Sequence, residues 1–456
     1  MSKRRHKRNK LPTQPIELEI ERLSHEGRGI ANIEGKIAFV AGALAGEKVM
    51  ATYVHKRSKF VELATTQVLS PAPDRVEPDC AFATICGGCS LQHMAPQAQI
   101  DFKKSVLFEK LEHATGLDKS TIGEIPTLTA NAYHYRKKAR LAVRYVTKKE
   151  TALVGFREKN SSFITVMDNC SVLVKEVADL IDPLRVLISG LTSRFHIPQI
   201  EVAVGEDDAG KNRVALVIRH LEALSDSDRQ ALCDFAESHD FELYLQSGGL
   251  DTVSKLWPAD GKERLQYLLP DYDLVMQFHP MDFTQINGEI NRQMIPLAIK
   301  LLDLQSDDVV LDLFCGLGNF TLPMARSCKQ VVGVEGSGEM VKRGYENAKL
   351  NGLTNADFYE ANLCDDFTNQ LWAQTKYSKI LIDPPRSGAI EIIDQLAALK
   401  AETIVYISCN PATLARDSAR LIECGYSLER SGVMDMFPHT AHVESIAQFN
   451  LKPKKK

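Results

Sequence analysis

The sequence predicts a multidomain α/β protein with a small N-terminal β-barrel, a central α+β region and a C-terminal doubly wound parallel sheet. Three observations lead to this prediction. Short alternating apolar runs separated by glycines fill residues 16–69, three cysteines lie within residues 80–89, and a strand, glycine turn and helix pattern begins at Val309. The 456 residues are enough for roughly two to four domains of ordinary size.

Basic charge is concentrated at the front of the chain. The first 60 residues carry 13 basic and 6 acidic residues, although the formal charge of the whole chain is −4. Residues 1–14 include the run SKRRHKRNK and lack apolar anchors. We therefore expect a disordered basic arm that attracts phosphates or simply keeps the chain soluble.

The composition also bears on the compartment. No run approaches the roughly 18 consecutive apolar residues of a membrane span, and no apolar signal core follows the basic start. We therefore expect a cytoplasmic protein. In that reducing compartment the ten cysteines should be free thiols, metal ligands or nucleophiles rather than disulfides.

Residues 15–73 are typical of an OB-like β-barrel. Its short strands begin at Ile16 and end at Leu69, and Ser70–Pro73 indicates a linker. Surface cations favour an RNA-binding barrel, which resembles the TRAM domain of RNA-modifying enzymes, over a purely structural barrel. The cations expected on that surface are Arg22, Arg28, Lys48, Lys56, Arg57 and Lys59.

The central region, residues 74–270, opens with a cysteine triplet. Cys80, Cys86 and Cys89 can turn their sulfurs toward one centre, and Cys170 is the next cysteine in the chain. Four thiolates suit either a tetrahedral zinc ion or an iron–sulfur cluster, and the spacing does not decide between them. Unrelated buried thiols would explain one of these cysteines but explain the triplet poorly.

Residues 131–150 form a basic segment that contains aromatic rings. Seven Lys and Arg residues alternate there with Tyr133, Tyr135 and Tyr145. Cations bind phosphates and rings stack on unpaired bases, so this segment predicts an RNA-contacting strand. The competing interpretation is a solvated strand face of ordinary charge.

Residues 271–456 predict the doubly wound sheet. The run Val309–Thr321 passes from an apolar strand through Gly316 and Gly318 into a helix start, and a second strand ends in Glu335. Such an acid suits the hydroxyls of a ribose. Thr321 stands where a nicotinamide-binding fingerprint would have its third glycine. Asp312, three residues before the turn, gives the pattern of S-adenosylmethionine-dependent methyltransferases, which this region resembles; the alternative is a glycine turn that binds no ligand.

Further polar residues are expected near the carboxyl edge of this sheet, where ligands bind. Gln285 precedes the first strand and could hydrogen-bond a donor, Asn362 follows the third strand, and Asp383 follows the fourth in the sequence DPPR. The fifth strand ends at Cys409, which places a thiol at the edge.

A thiol at this edge indicates methylation of carbon 5 of a pyrimidine. Carbon 5 is a poor nucleophile until a thiolate adds to carbon 6, and a base must afterwards remove the carbon 5 proton. Glu444 is the predicted base because its apolar neighbours should raise its pKa. His439 and His442 are the competing candidates.

Together the motifs FCGLGNFT, DPPR, SCNP and HVES resemble the RNA uridine-5-methyltransferase family. The resemblance implies a nucleophile, Cys409, and a base, Glu444. It implies a C-terminal Rossmann-like methyltransferase domain with S-adenosylmethionine contacts at Gln285, Phe314, Asn319, Glu335, Asn362 and Asp383.

Within this family the barrel and the cysteine set indicate the branch that modifies 23S ribosomal RNA. In that branch Cys80, Cys86, Cys89 and Cys170 would hold a [4Fe-4S] cluster in the central α+β domain. Residues 94–125 would pack on the catalytic domain, and we expect a monomer. Two alternatives remain: a tRNA uridine-5-methyltransferase, and a non-catalytic RNA-binding assembly factor that kept the fold.

Overall fold

The computed structural model describes residues 11–261 and 263–453. Most of the predicted basic arm therefore lies outside the described residues. The chain forms two compact units. The first holds the described residues up to Phe102 together with His439–His442, and the second holds Lys103–Pro438 and the described residues from Val443 onward.

The first unit is built on one six-stranded sheet. Its strands pair in the order β1-β5-β6-β4-β3-β2. Alternate residues such as Val40, Val49 and Leu63 form its apolar core. Four strands lie where the alternating runs predict them: β1 Ile16–Glu19, β4 Lys36–Ala41, β5 Lys48–Lys56 and β6 Phe60–Ser70. The other two are β2 Arg22–Leu23 and β3 Gly29–Ile33.

The strands of the second unit make three sheets. In chain order they are β7 Gly123–Glu124, β8 Lys138–Val146, β9 Thr151–Gly155, β10 Gln199–Glu206, β11 Asn212–Arg219, β12 Glu242–Gln246, β13 Val253–Trp257, β14 Leu265–Leu269, β15 Leu274–Phe278, β16 Val309–Leu313, β17 Gln330–Glu335, β18 Ala356–Glu360, β19 Lys379–Ile382, β20 Thr403–Ser408, β21 Tyr426–Met434 and β22 Glu444–Leu451.

The helices connect and cover these sheets. The first, α1, begins in the first unit and ends in the second. In chain order the helices are α1 Pro96–Thr115, α2 Lys175–Ala178, α3 Ile181–Gly190, α4 Asp226–Ser238, α5 Gly288–Leu302, α6 Thr321–Ala325, α7 Gly338–Leu350, α8 Ile393–Ala398 and α9 Pro411–Glu423. Within the described ranges, no helix is both long and apolar enough to cross a membrane.

The sheets of the second unit differ in size. One sheet has six strands in the order β13-β12-β11-β10-β8-β9, and the smallest is the pair β14-β15. The largest sheet has eight strands in the order β18-β17-β16-β19-β20-β22-β21-β7. Its first five strands are parallel, and β22 runs antiparallel to β20. This is the predicted doubly wound arrangement, with the carboxyl ends of five strands on one edge.

Candidate functional site

The glycine turn between β16 and α6 lies at the carboxyl edge of the large sheet. Gly316 and Gly318 have positive φ angles of 56° and 94°, and Phe314 also has a positive φ of 62°. A large side chain rarely adopts that conformation outside functional sites. A Cβ added to Gly316 would meet nothing within 4 Å, so the turn leaves open space beside its backbone.

Glu335 is fixed at the end of β17, next to this turn. Its Oε2 accepts a hydrogen bond from the amide of Gly316 at 3.1 Å. Its Oε1 accepts from the amides of Gly336 at 2.8 Å and Ser337 at 3.2 Å. The carboxylate is half-buried and held as an acceptor, which is the arrangement that suits vicinal hydroxyls.

Asp312 lies beneath the same turn with no exposed surface. Its Oδ2 accepts a hydrogen bond from the Thr321 hydroxyl at 2.6 Å. Among the residues that the structure describes, its Oδ1 is buried without a hydrogen-bond donor. Burial, with smaller contributions from Asp383 and Glu335, raises the pKa of Asp312 to about 8. A ligand that brings a donor or positive charge to this turn would relieve that penalty.

The amide of Asn319 is held from two sides. Its Oδ1 accepts from the Tyr267 hydroxyl at 2.8 Å and from Asn291 Nδ2 at 3.0 Å, and its Nδ2 donates to Asn291 Oδ1 at 2.9 Å. Tyr267 and Asn291 also line an open cleft together with Gln285. Two predicted donor contacts, Gln285 and Asn319, are thereby brought to one region.

Asn362 lies farther along the edge. It is exposed, its Oδ1 accepts from the amide of Cys364 at 3.1 Å, and its Nδ2 donates to Asp365 at 2.8 Å. The neighbouring amide of Ala361 donates to the backbone oxygen of Glu335 at 3.0 Å. Asn362 therefore follows the strand next to Glu335, at a solvent-facing position.

Strand pairing brings Cys409 and Glu444 together. Strand β22 is antiparallel to β20, and Ser445 pairs with Ser408. Ser408↔Ser445 is the last pair of this ladder, and the same register continued by one position would set Cys409, just past the end of β20, opposite Glu444, at the start of β22. Directly opposite residues lie on one face at Cα separations of about 4.5–5.5 Å. A bond of 3.1 Å from the Ser445 hydroxyl to the backbone oxygen of Ser408 fixes this register.

Burial sets the acidity of these groups. Burial, followed by the negative charges of Glu444 and Asp383, raises the pKa of Cys409 to about 11, while Arg386 acts in the opposite direction. Burial and the Asp383 charge raise the pKa of Glu444 well above its usual value. Burial also raises the pKa of Asp383 to about 7. The edge therefore holds a thiol and two carboxyl groups whose ionisation is penalised until a ligand arrives.

The competing histidines have structural surroundings. His439 is buried with a positive φ of 65°, its amide donates to Gln99 Oε1 at 2.9 Å, and its Nδ1 lies 3.4 Å from Gln99 Nε2. The ring of His442 is exposed, and its amide donates to the Thr440 hydroxyl at 3.3 Å. These contacts give His439 a role in holding its own loop.

Comparison with known proteins identifies the family of this chain. Residues 99–450 match the model of the family described as tRNA (Uracil-5-)-methyltransferase. The chain belongs to this family. Its members are S-adenosylmethionine-dependent uracil-5 RNA methyltransferases, so the predicted family and enzyme class are confirmed. Residues 11–52 match the TRAM domain, which confirms the predicted type of N-terminal domain.

Individual members of the family align along nearly the whole chain. The 23S rRNA (uracil(1939)-C(5))-methyltransferase RlmD of Alcanivorax borkumensis is 51% identical over 449 residues, covering 98% of this chain and 99% of the relative. The protein of the same name from Hahella chejuensis is 52% identical over 448 residues, with 97% and 99% covered. The crystal structure of Pyrococcus abyssi tRNA (uracil-54, C5)-methyltransferase in complex with S-adenosyl-L-homocysteine has a TM-score of 0.73 at 22% identity and covers 95% of this chain and 99% of that one. This similarity shows the fold alone.

The four predicted cluster cysteines are divided between the two units. Cys80, Cys86 and Cys89 belong to the first unit and Cys170 to the second, and none of the four forms a disulfide. Within residues 11–261 and 263–453, no group of three or more His, Cys, Asp or Glu side chains could hold a metal ion. One local feature fits a thiolate ligand: the amide of Gly88 donates to Cys86 Sγ at 3.4 Å.

In the basic segment, residues 131–150, the ring of Tyr135 is not exposed as the prediction requires. Strand β8 buries Ala139, Leu141 and Val143 on one face, and the other face carries Arg140 and Arg144. Tyr135 is buried and its hydroxyl donates to the backbone oxygen of Pro438 at 3.2 Å, so that ring is not exposed for stacking on a base.

Tyr145 also has protein partners. Its ring packs edge-on against Phe195 at 4.9 Å, under the guanidinium of Arg194 at 5.0 Å. The prediction that the rings of this element stack on unpaired bases is therefore wrong for the buried ring of Tyr135, while the half-buried ring of Tyr145 packs against protein side chains. Strand alternation, which turns successive side chains to opposite faces, would have separated Tyr145 from Arg144.

Sequence reasoning did not single out three residues that shape the site. Tyr267 and Asn291 hold the amide of Asn319, and Thr321 holds the carboxyl of Asp312. Thr321 was examined only as a missing glycine. Because Tyr267 and Asn291 lie 52 and 28 residues before Asn319, no local pattern links them to it.

Proposed function

We propose that this protein transfers a methyl group from S-adenosylmethionine to carbon 5 of a uridine in 23S ribosomal RNA. The observation that carries this proposal is the pairing of Ser408 with Ser445, because each of these residues adjoins one of the two proposed catalytic residues, Cys409 and Glu444. The ribosomal substrate is supported by the high identity, over nearly the full length, to relatives named for methylation of uracil in 23S rRNA.

The residues around the glycine turn suit the donor. The donor supplies an electrophilic methyl group on a positively charged sulfur. We propose that Glu335 accepts hydrogen bonds from the ribose hydroxyls, and that the open backbone at Gly316 allows close approach. A positive sulfur near Asp312 and Asp383 would favour the ionised form of these buried carboxyl groups, and Gln285, Phe314, Asn319 and Asn362 complete the proposed contacts.

Cys409 begins the proposed reaction. Its thiolate adds to carbon 6 of the uracil, the carbon 5–carbon 6 double bond opens, and negative charge develops over carbon 5 and the carbon 4 oxygen. Carbon 5 then attacks the methyl carbon in line with the donor sulfur; the methyl–sulfur bond breaks, its electron pair stays on the sulfur, and the demethylated donor leaves as a neutral thioether. Because burial and nearby carboxyl groups raise the pKa of Cys409, the positive charge of Arg386 becomes important for thiolate formation.

Glu444 completes the proposed reaction. Its carboxylate takes the carbon 5 proton, and the electrons of that C–H bond rebuild the double bond to carbon 6. The carbon 6–sulfur bond breaks, Cys409 leaves as a thiolate, and Glu444 is left as a carboxylic acid. The buried position of Glu444 raises its pKa, which makes its ionised form a stronger base than an exposed carboxylate.

We further propose that RNA contacts come from two regions. The TRAM domain, residues 15–73, carries exposed cations on the turn between β5 and β6, and β8 of the central domain, residues 74–270, carries Arg140 and Arg144. Residues 271–456 would form the catalytic domain. Residues 94–125 would pack on it, an arrangement supported by the pairing of β7 with β21.

A [4Fe-4S] cluster at Cys80, Cys86, Cys89 and Cys170 also remains a proposal. Its support is the triplet spacing and the amide that donates to Cys86 Sγ. Anaerobically purified protein should contain iron and sulfide in near-equal amounts, and the Cys86→Ser variant should lose both. Stoichiometric zinc without visible absorbance would contradict this proposal. Monomeric state and cytoplasmic location stay predictions.

The proposed function is tested by methyl transfer from a labelled donor to protein-free RNA. Fragments of 23S ribosomal RNA and transfer RNA are offered in parallel, and the modified base is mapped by mass spectrometry. We expect 5-methyluridine in the ribosomal fragment only. Methylation of transfer RNA alone, or labelling of neither RNA, would contradict the proposed substrate or the proposed activity.

A further inference from the structure

The loop between β21 and β22 holds the proposed base in place. It spans residues 435–443, and Glu444 follows it directly as the first residue of β22. If this loop made contacts only with solvent, Glu444 would be free to shift relative to Cys409. The contacts of this loop therefore bear on the second half of the proposed reaction.

Helix α1 supplies a buried cation to the start of this loop. Lys103 has no exposed surface, and its Nζ lies 2.6 Å from Asp435 Oδ1 and 2.9 Å from the backbone oxygen of Phe437. Burial lowers the pKa of Lys103, and the carboxylate of Asp435 opposes that effect. A lysine is rarely buried completely unless a specific partner compensates for its lost hydration.

A second residue of α1 holds the middle of the loop. Gln99 lies one helical turn before Lys103, so both side chains leave the same face of the helix. Gln99 accepts from the amide of His439 at 2.9 Å, and its Nε2 donates to the backbone oxygens of Met94 at 2.8 Å and Leu91 at 3.2 Å. Both amide ends of this buried side chain are therefore engaged.

The segment after the cysteine triplet adds a third attachment. The amides of Ser90 and Leu91 both donate to the backbone oxygen of His439 at 2.9 Å. The Ser90 hydroxyl accepts from the amide of Ala441 at 3.1 Å. Such a set of side-chain and backbone bonds exceeds what is needed to close a short loop between two antiparallel strands.

We infer that Lys103 and Gln99 are positioning residues for Glu444: through the 435–443 loop they hold its carboxylate where it can take the carbon 5 proton. This inference rests on the proposed function of Glu444. A base displaced by about 1 Å can slow its step by about 100-fold. Addition of Cys409 and arrival of the methyl group do not require the base, so only release of the product should be slowed.

The test uses the full-length protein and a 23S-derived RNA fragment with tritium at carbon 5 of the target uridine. We compare the wild type with Lys103→Met, Lys104→Met and Glu444→Gln. Lys104 is the matched control, because this next residue of α1 binds Glu124 at the surface at 2.6 Å. The readouts are tritium release, the fraction of protein in a denaturation-resistant methylated complex, and the KM for the donor.

Lys103→Met should release tritium about 10- to 100-fold more slowly and accumulate the methylated complex, with the KM for the donor unchanged within about twofold. Lys104→Met should behave like the wild type. A Lys103→Met protein with wild-type tritium release, or one that loses methyl transfer without accumulating the complex, would overturn the inference. If Glu444→Gln traps the complex and Lys103→Met does not, only the positioning role fails; if Glu444→Gln does not trap it, the proposed base fails.

Lys103→Met leaves the Asp435 carboxylate without its buried cation, which destabilises the fold, so two further variants carry the same readouts. Lys103→Gln with Asp435→Asn replaces the ion pair by a neutral hydrogen-bonding pair. Gln99→Met removes the bonds to His439 without changing any charge. We expect the methylated complex to accumulate in both folded variants, and wild-type product release in both would overturn the inference.

Discussion

The charges of the TRAM domain and those of the catalytic edge are arranged in opposite ways. In the TRAM domain, Lys48 forms ion pairs of 3.3 Å with both Glu17 and Glu19, and Arg28 forms one of 2.8 Å with Glu62. At the catalytic edge, burial raises the pKa of Asp312 and the pKa of Glu444. The first region matches each charge with its opposite near water, and the second gathers acids away from water.

The two arrangements of charge have different effects on the stability of the folded protein. Exposed ion pairs contribute little free energy, about 0–1 kcal/mol each, so the paired charges of the barrel add little to its stability, and its exposed cations remain near water, where RNA phosphates can reach them. Buried carboxyl groups instead make the folded state less stable as they ionise, and a cationic donor at the same edge would offset that effect. The following predictions test the contrast, from the largest expected effect to the smallest.

Cys409→Ala should have the largest effect. Because no other group activates carbon 5, methylation should fall at least about 10⁴-fold and no covalent protein–RNA complex should form. Product is measured with labelled donor, and the complex on a denaturing gel. Cys424→Ala, which removes a partly exposed thiol from the end of α9, is the control and should keep full activity. Methylation retained by Cys409→Ala would exclude this mechanism.

Glu335→Gln should weaken donor binding by about 10- to 100-fold. Hydrogen bonds to a charged acceptor contribute about 1.5–3 kcal/mol, and the amide of Gln would also meet the backbone amides that now point at the carboxylate. Calorimetric titration with donor measures the affinity. Glu339→Gln, at an exposed position in the first turn of α7, should leave it unchanged. Equal affinity in wild type and Glu335→Gln would remove Glu335 from the donor site.

Asp312→Asn should change how the stability depends on pH. The pKa of Asp312 is raised to about 8 in the folded protein, above the ordinary value of 3.8. Its contribution to stability is therefore fully present below about pH 4 and is lost as the pH rises toward 8, by at most about 1.4 kcal/mol per pH unit.

The Asn variant cannot ionise, so its free energy of unfolding should fall less between pH 5 and pH 8 than that of the wild type. Urea unfolding across this range, without donor, measures the difference. Parallel curves for the two proteins would show that Asp312 is ionised in the folded state throughout.

The smallest effect is expected in the TRAM domain. Replacing Lys56, Arg57 and Lys59 by Ala should lower RNA affinity about tenfold at physiological salt and reduce the salt dependence of binding by roughly one phosphate contact per residue. Lys48→Ala should change affinity less, because Glu17 and Glu19 already pair with that lysine. A larger loss from Lys48→Ala would reverse this assignment of the RNA-facing surface.

The sequence predicted the parts of this structure that depend on local pattern. Strand β16, the turn at Gly316 and the start of α6 at Thr321 lie where apolar runs and glycines indicate them. The edge location of Cys409 followed from the strand that precedes it, and the ladder pairs the residue before Cys409, Ser408, with the residue after Glu444, Ser445.

Long-range contacts were not predictable in the same way. Lys103 lies in a helix that the sequence marked only for packing, and its partner Asp435 is 332 residues away. The composition of residues 131–150 predicted that Tyr135 stacks on bases, but its position in the fold buries the ring. No local periodicity specifies which distant residues a side chain meets.

The most direct test of the central claim is a single-turnover reaction of Glu444→Gln with target RNA and methyl-labelled donor. Addition and methyl transfer precede the step that needs the base, so the account predicts a denaturation-resistant complex in which the labelled methyl group and Cys409 are joined to the same uracil. Mass spectrometry of the digested complex identifies that linkage. Free methylated RNA formed at the wild-type rate, with no trapped complex, would contradict the division of roles between Cys409 and Glu444.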